Sequence, residues 1–239
     1  MSVLRPGGLD LTRDALKKAG VRPGAALLDV GCGDGEAAFL AQEEFSLCVT
    51  AVDTDENAVE KASARGLDAK KMDASALEFP SRSFDAVLME CVFSLLDRQL
   101  ESMHEAYCML RPGGKLIITD LYRRVPELER WREDYATAMD LYLKPRSDGD
   151  CENGSKLPSP YCQDGALVLD GLALLLDELE LQVVHFEDRT EDLKAFAAQA
   201  ILDCGSVENY FAEHGNCLPD CKLPPDVGYF LLIAEKRDA

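Results

Sequence analysis

The chain has 239 residues, 47% of them apolar, and carries 44 acidic against 25 basic side chains for a formal net charge of −19. That length supports one sizeable core and is marginal for two, and the charge argues against nucleic acid or an anionic membrane surface as partner, since both are bound through basic faces. There is no apolar run of about 18 residues to span a membrane, and the opening MSVLRPGGLDLTRD places charges where a signal peptide would be apolar. The nine cysteines then point to free thiols and a cytoplasmic setting.

LDLTRDALKKA (9–19) has helical spacing and stops at Gly20, forming an N-terminal helical cap over 1–20. AALLDV (25–30) is a short apolar run ended by glycines, as expected of a strand buried in a parallel sheet. Residues 36–44 read as a helix, LCVTAV (47–52) as a strand closed by Asp53, and DENAVEKASARG as a helix ending at Gly66. AKKMD is a short strand, FDAVLME (84–90) a strong one, 97–110 a helix running into RPGG, and KLIITDLY a further strand. The alternation predicts an α/β domain whose right-handed crossovers place helices on both faces of a mostly parallel sheet.

Residues 123–143 are expected to be helical and hold the single tryptophan, Trp131, while 144–165 is rich in Pro, Gly, Ser and Asp and reads as a lid-like loop. An apolar helix (166–180), the strand LQVVHFED, a long helix (190–213), the loop CLPDCKLPPD and the closing strand GYFLLIAEK follow. The expectation is a single domain over 1–239 with an insertion at 123–165 and a last strand that runs antiparallel.

In LLDVGCGDG (27–35) a strand feeds directly into Gly31, Gly33 and Gly35 before a helix, removing side chains where a ligand approaches the backbone. Dinucleotide loops carry a diphosphate on that helix terminus and a Gly or Ala at their sixth position. Here that position is Glu36, which would repel a diphosphate, and this disfavours a nicotinamide-dependent oxidoreductase. LLDVGCGDG resembles motif I of the class I S-adenosylmethionine-dependent methyltransferases. VTAVDTDENAVEKA, KKMDASALEFPSRSFDAVLME and EAYCMLRPGGKLIITDLY resemble that family's following segments in register, so the likeness covers roughly residues 20–122.

The resemblance implies a doubly wound, Rossmann-like, seven-stranded fold, S-adenosylmethionine as cofactor and S-adenosylhomocysteine as product. It implies Asp53, with Thr54 beside it, on the ribose hydroxyls, and Asp73 with Ala74 at the adenine. Asp29, Gly31, Cys32, Gly33 and Gly35 would border the methionine end, and Thr12 or Arg5 its carboxylate. A carboxylate such as Asp53 can accept from both ribose hydroxyls, and Asp29 suits an ammonium. Structural alternatives stand beside these: Asp53 or Asp55 as a helix N-cap, Thr12 as another, and Asp73 as a plain strand end.

Methyl transfer needs chiefly proximity and orientation, with a base only where the acceptor must lose a proton. MECVFSLL after the fourth strand lacks the Asn/Asp-Pro-Pro-aromatic tetrapeptide of nucleic-acid amino methyltransferases, so a small-molecule acceptor is expected. Glu90 is a candidate base or ligand-positioning acid, the alternative being a solvated strand-end carboxylate. Cys91, with Cys162 in YCQDGALVLDGLALLLDELEL, resembles the thiols of arsenite methyltransferases, where thiolates suit a thiophilic metalloid. That family's N-terminal cysteine pair has no counterpart here, and burial habits favour Cys91 as a small pocket or core residue. A third reading is a non-catalytic protein that keeps the cofactor fold. Cys32, Cys48 and Cys108 read as core residues. Cys217 and Cys221, even with His214 nearby, form too small a set for a metal, and none is expected. His185 reads as a strand histidine and His104 as solvent-facing on its helix.

Overall fold

The computed structural model describes residues 5–127, 129–130, 132–133, 161–163, 165–207, 209–210 and 226–237. In chain order these give α1 (Gly8–Ala19), β1 (Ala26–Val30), α2 (Glu36–Phe45), β2 (Cys48–Asp53), α3 (Glu56–Ala64), β3 (Asp68–Lys71), β4 (Phe84–Glu90), a 3-10 turn (Phe93–Leu95), α4 (Gln99–Met109) and β5 (Leu110–Arg123). The short strands β6 (Cys162–Gln163) and β7 (Ala166–Leu167), then α5 (Leu169–Glu178), β8 (Leu181–Asp188), α6 (Thr190–Cys204) and β9 (Val227–Lys236) follow.

The main sheet runs β3-β2-β1-β4-β5-β9-β8. β3, β2, β1, β4 and β5 are parallel, and β9 is antiparallel to both β5 and β8. This is the expected mostly parallel, doubly wound arrangement with a reversed last strand. Strand order turns back between β1 and β4, and in open α/β sheets ligands settle at the carboxyl ends of the strands at such a reversal. The hairpin β6–β7, which joins β5 at Tyr122, lies where the sequence predicted loop and the start of a helix. Two-residue strands carry no readable period, so pairing alone defines them.

The parallel strands are apolar because both faces are covered. Leu28, Val30, Val87, Met89 and Ile118 pack on one face with α4 and α5, and Leu27, Ala51, Leu88 and Ile117 on the other with α1 and α2. α1 buries Leu11, Thr12, Ala15, Leu16 and Ala19 on one stripe and ends at Gly20 in the left-handed conformation. Leu11 and Leu16 are fully buried, each contributing roughly 1.5–3 kcal/mol of apolar transfer. α1 is also tied down by charge, since Lys18 pairs with Asp14 and Glu187, and Arg189 with Asp14, Glu187 and Asp192. β8 is the outer strand, where polar Gln182, Glu187 and Asp188 are interspersed with exposed Val183, Val184 and Phe186.

Cys48 is exposed and so is not the core residue expected of it, while Cys32 and Cys108 are half-buried and pack against the core. The helix over 123–143 and the lid over 144–165 lie largely outside the described residues, as do Cys151, His214, Cys217 and Cys221. No described helix is long and apolar enough to cross a membrane.

Candidate cofactor site

The loop after β1 is fixed from below. The N–H groups of Gly31 and Cys32 both donate to the carbonyl of Val52, at 2.8 and 3.1 Å, tying the loop to the end of β2. Gly31, Gly33 and Gly35 all have positive φ, at 72°, 52° and 77°, but they face different surroundings. A Cβ on Gly31 would lie 2.3 Å from Val92 Cγ2, and one on Gly35 2.7 Å from Leu67 and 2.9 Å from Ala62. Those two glycines let Val92 and α3 pack closely. Only at Gly33 would a Cβ meet nothing within 4 Å. The expectation that all three leave bare backbone for a ligand is therefore corrected to Gly33.

Asp53 closes the other side. Its Oδ2 accepts from the Gly33 N–H and its Oδ1 from the Asp55 N–H, both at 2.9 Å. Each oxygen thus takes one backbone donor and retains a lone pair. The N-cap of α3 is Asp55, which accepts from Asn57 N–H. Thr54 beside it is exposed. Further along the rim, exposed Asp73 accepts from the N–H and hydroxyl of Ser75, a local turn, while Ala74 is buried among Val30, Val52 and Leu77. Both follow the carboxyl end of β3.

A charged cluster lies between β1, β4 and the segment before α1. Glu90 ends β4 and is only 8% exposed, so it is not a solvated strand end. Arg5 Nη2 lies 2.7 Å from its Oε2 and also donates to Thr12 Oγ1 at 2.6 Å. The Thr12 hydroxyl in turn reaches Glu90 Oε1 and Oε2 at 3.2 and 3.0 Å. Thr12 is thus a buried mid-helix residue, not an N-cap. Burial raises the Glu90 carboxyl above its ordinary value, and Arg5 and Thr12 draw it back. Asp29 is 2% exposed, and its Oδ2 has no hydrogen-bond partner. Burial, then the neighbouring Glu90 charge, pushes Asp29 up to about 7. The Nε of Arg5 is likewise buried without a partner.

Cys91 follows Glu90 with φ at 54°. Its Sγ lies 2.8 Å from the Tyr229 hydroxyl, which donates to Thr119 Oγ1 at 3.1 Å. Burial, with Asp120 and Glu90 adding to it, pushes the thiol up to about 12. Cys91 is a protonated thiol in a neutral hydrogen-bonded row, the opposite of the thiolate a metalloid acceptor requires. The backbone of Cys162 lies in β6, and among the described residues no group of three or more His, Cys, Asp or Glu is placed to hold a metal. Cys32 is also driven to the neutral thiol, by burial and then by Asp29 and Asp53.

Sequence reasoning passed over Asp120, Tyr229 and Val92. Asp120 sits at the end of β5 fully enclosed, accepting from Ser94 N–H, Ser94 hydroxyl and Leu121 N–H, and it fixes the 3-10 turn that follows Cys91. The polar pair Thr119–Asp120 breaking an otherwise apolar strand was the available signal. Tyr229 had none, since its partner lies on a strand distant in sequence.

A family profile described as "Methyltransferase domain" matches residues 28–118. The 27-O-demethylrifamycin SV methyltransferase of Amycolatopsis mediterranei (strain S699) is 35% identical over 247 residues, covering 91% of this chain and 79% of that protein. The chain belongs to the class I S-adenosylmethionine-dependent methyltransferases. Phosphoethanolamine N-methyltransferase 3 of Arabidopsis thaliana is 30% identical over 146 residues, 59% of this chain and 28% of that protein. The chain spans about a quarter to a half of the first curated relatives it matches. Haemonchus contortus phosphoethanolamine N-methyltransferase 2, solved in complex with S-adenosyl-L-methionine, has the same fold at a TM-score of 0.67 and 20% identity, over 98% of this chain and 54% of that one.

The methyltransferase cofactor ends in an ammonium and a carboxylate, and it carries a ribose with two hydroxyls. Against the first pair the site offers one unpartnered buried acceptor, Asp29 Oδ2, and one unpartnered buried donor, Arg5 Nε. For the ribose, Asp53, bonded to the N–H of the open Gly33, would be the acceptor. The residues present fit the group.

Proposed function

We propose that this protein transfers a methyl group from S-adenosylmethionine to a small-molecule acceptor. The observation that carries this is the pairing of an orphaned carboxylate oxygen and an orphaned guanidinium N–H beside the open loop, at the sheet's reversal point. Asp53 would hold the ribose, Asp73 and Ala74 would border the adenine, and Asp29 and Arg5 would receive the amino-acid end. The bound cofactor supplies an electrophilic methyl on a sulfonium. The chain's part is then orientation and exclusion of water.

Glu90, with both oxygens engaged by Thr12 and Arg5, positions Arg5 and sets the local charge in this reading and is not a free base. The rifamycin relative acts on a hydroxyl by its name and aligns along 91% of this chain, which supports a hydroxyl-bearing acceptor over the phosphoethanolamine amine named for relatives aligned over shorter stretches. A cytoplasmic setting and a single domain over 1–239 belong to the same proposal; the setting rests on the cysteine usage, and the domain on the continuous sheet.

Isothermal titration with S-adenosylmethionine, S-adenosylhomocysteine and NADH tests the cofactor half, and binding of the first two alone is expected. Transfer of labelled methyl groups to a panel of small alcohols, phenols and amines tests the acceptor half, with label expected in the hydroxyl compounds. Binding of NADH alone, or label confined to amines, overturns the corresponding half.

A further inference from the structure

The buried charges around β1 do not balance. Arg5 contributes one positive charge, Glu90 one negative, and Asp29 a second negative whenever it is ionised. Asp53 on β2 adds its field from the other side, already held by two backbone N–H groups. From α2 the backbone N–H of Ala38 favours the Asp29 carboxylate, while the adjoining Cys32 thiol is neutral and contributes no charge. The side chain that α1 brings into the cluster, Thr12, is uncharged. Two enclosed carboxylates facing one guanidinium cannot both be ionised at low cost. Glu90 takes the guanidinium and a hydroxyl, whereas the Asp29 Oδ2 has no donor, so the shared proton belongs to Asp29.

Resting on the methyltransferase reading above, we propose that Asp29 carries a proton in the cofactor-free protein and surrenders it to solvent when the cofactor binds, so that the cationic methyl donor is held more tightly than its neutral demethylated product. The donor carries a sulfonium, an ammonium and a carboxylate, and its net positive charge neutralises the ionised cluster. The product has lost the sulfonium charge and leaves one negative charge unmatched, so Asp29 tends to take its proton back. Only the Asp29 O–H bond breaks on binding, and the proton leaves to bulk water. Transfer of the methyl group thereby weakens the hold on what remains and favours exchange of product for fresh donor.

The sign follows from linkage. A carboxyl raised in the free protein and lowered in the complex releases a proton on binding, and affinity falls as pH drops below its free value. The test is titration calorimetry of the intact protein at pH 6.5 in phosphate and in Tris. At that pH the cofactor's own α-amino group, ordinarily near 7.7–8.0, stays protonated. The difference in apparent enthalpy between buffers should report roughly half a proton or more released per donor bound, and less than half as much for S-adenosylhomocysteine. Donor affinity should fall toward tenfold per pH unit on acidification from about pH 7. Asp29→Asn should bind without proton release.

Binding with no net proton release, equal release for donor and product, or release that persists in Asp29→Asn overturns the inference and leaves the function standing. Failure of the folded wild type to bind either compound overturns the function itself. Where Asp29→Asn does not fold, the wild-type comparison of donor with product decides alone.

Discussion

Gly31 and Gly33 share a left-handed backbone and differ in what lies over them. An alanine at Gly31 would bear both the backbone strain and a collision with Val92 at 2.3 Å, whereas at Gly33 it would bear the strain alone. Gly31→Ala is therefore expected to lose roughly 2–4 kcal/mol of stability, seen as a clear drop in Tm. Gly33→Ala should lose only about 1–2 kcal/mol but bind S-adenosylmethionine at least about tenfold more weakly, because its methyl enters the space beside Asp53. Thermal melts read beside calorimetry check this, and equal losses of stability in the two variants would refute the assignment. The glycine pattern itself was legible in LLDVGCGDG, but which glycine faces a ligand depends on Val92, Ala62 and Leu67, all outside that stretch.

At the scale of elements, periodicity and punctuation located most of the fold. FDAVLME is β4 residue for residue, and LDLTRDALKKA is α1 to within its first residue. The burial of Thr12 was readable too, since it falls on the same helical stripe as Leu11, Ala15, Leu16 and Ala19. Its bond to Glu90 was not, because no local pattern joins a helix to a strand so far along the chain. The ties that hold α1 over the site were equally hidden: Arg189, between β8 and α6, reaches Asp14 on α1, Glu187 and Asp192. Arg189→Met keeps the stem and removes three ion pairs. It should speed hydrogen exchange in α1 and weaken cofactor binding several-fold, while exchange in β1 and β4 stays slow. Unchanged protection of α1 would show that its apolar stripe alone holds it in place.

For the whole molecule, two groups of carboxyls pull stability in opposite directions with pH. Asp29 at about 7 and Asp120 at about 6 are raised by burial, so the folded chain keeps protons that the unfolded chain gives up, and stability falls as pH climbs from about 4 through 7. Glu187, held down to about 2 by Lys18, then Arg189 and His185, stabilises above about pH 4.3 and loses that contribution as pH falls toward 2. The −19 net charge adds self-repulsion at the alkaline end. The cofactor-free protein should melt highest near about pH 4, where Glu187 is ionised and Asp29 and Asp120 still hold their protons, and salt should raise Tm at pH 8. A Tm still climbing from pH 6 to 8 at low salt would contradict the buried-proton account.

The position of β9 has a consequence in time. It is made after β8, yet it lies between β5 and β8 in the finished sheet, and among the described strands it is the one partner β8 has. On the ribosome, β1 to β5 can assemble in the order they emerge. β8 cannot: it leaves the exit tunnel with no neighbour for its backbone N–H and C=O groups until β9 arrives to bridge the gap. The half of the sheet that carries Tyr229, the partner of Cys91 and Thr119, is therefore completed by insertion, not by addition at an edge. During translation this interval is when the nascent chain most needs a chaperone's cover.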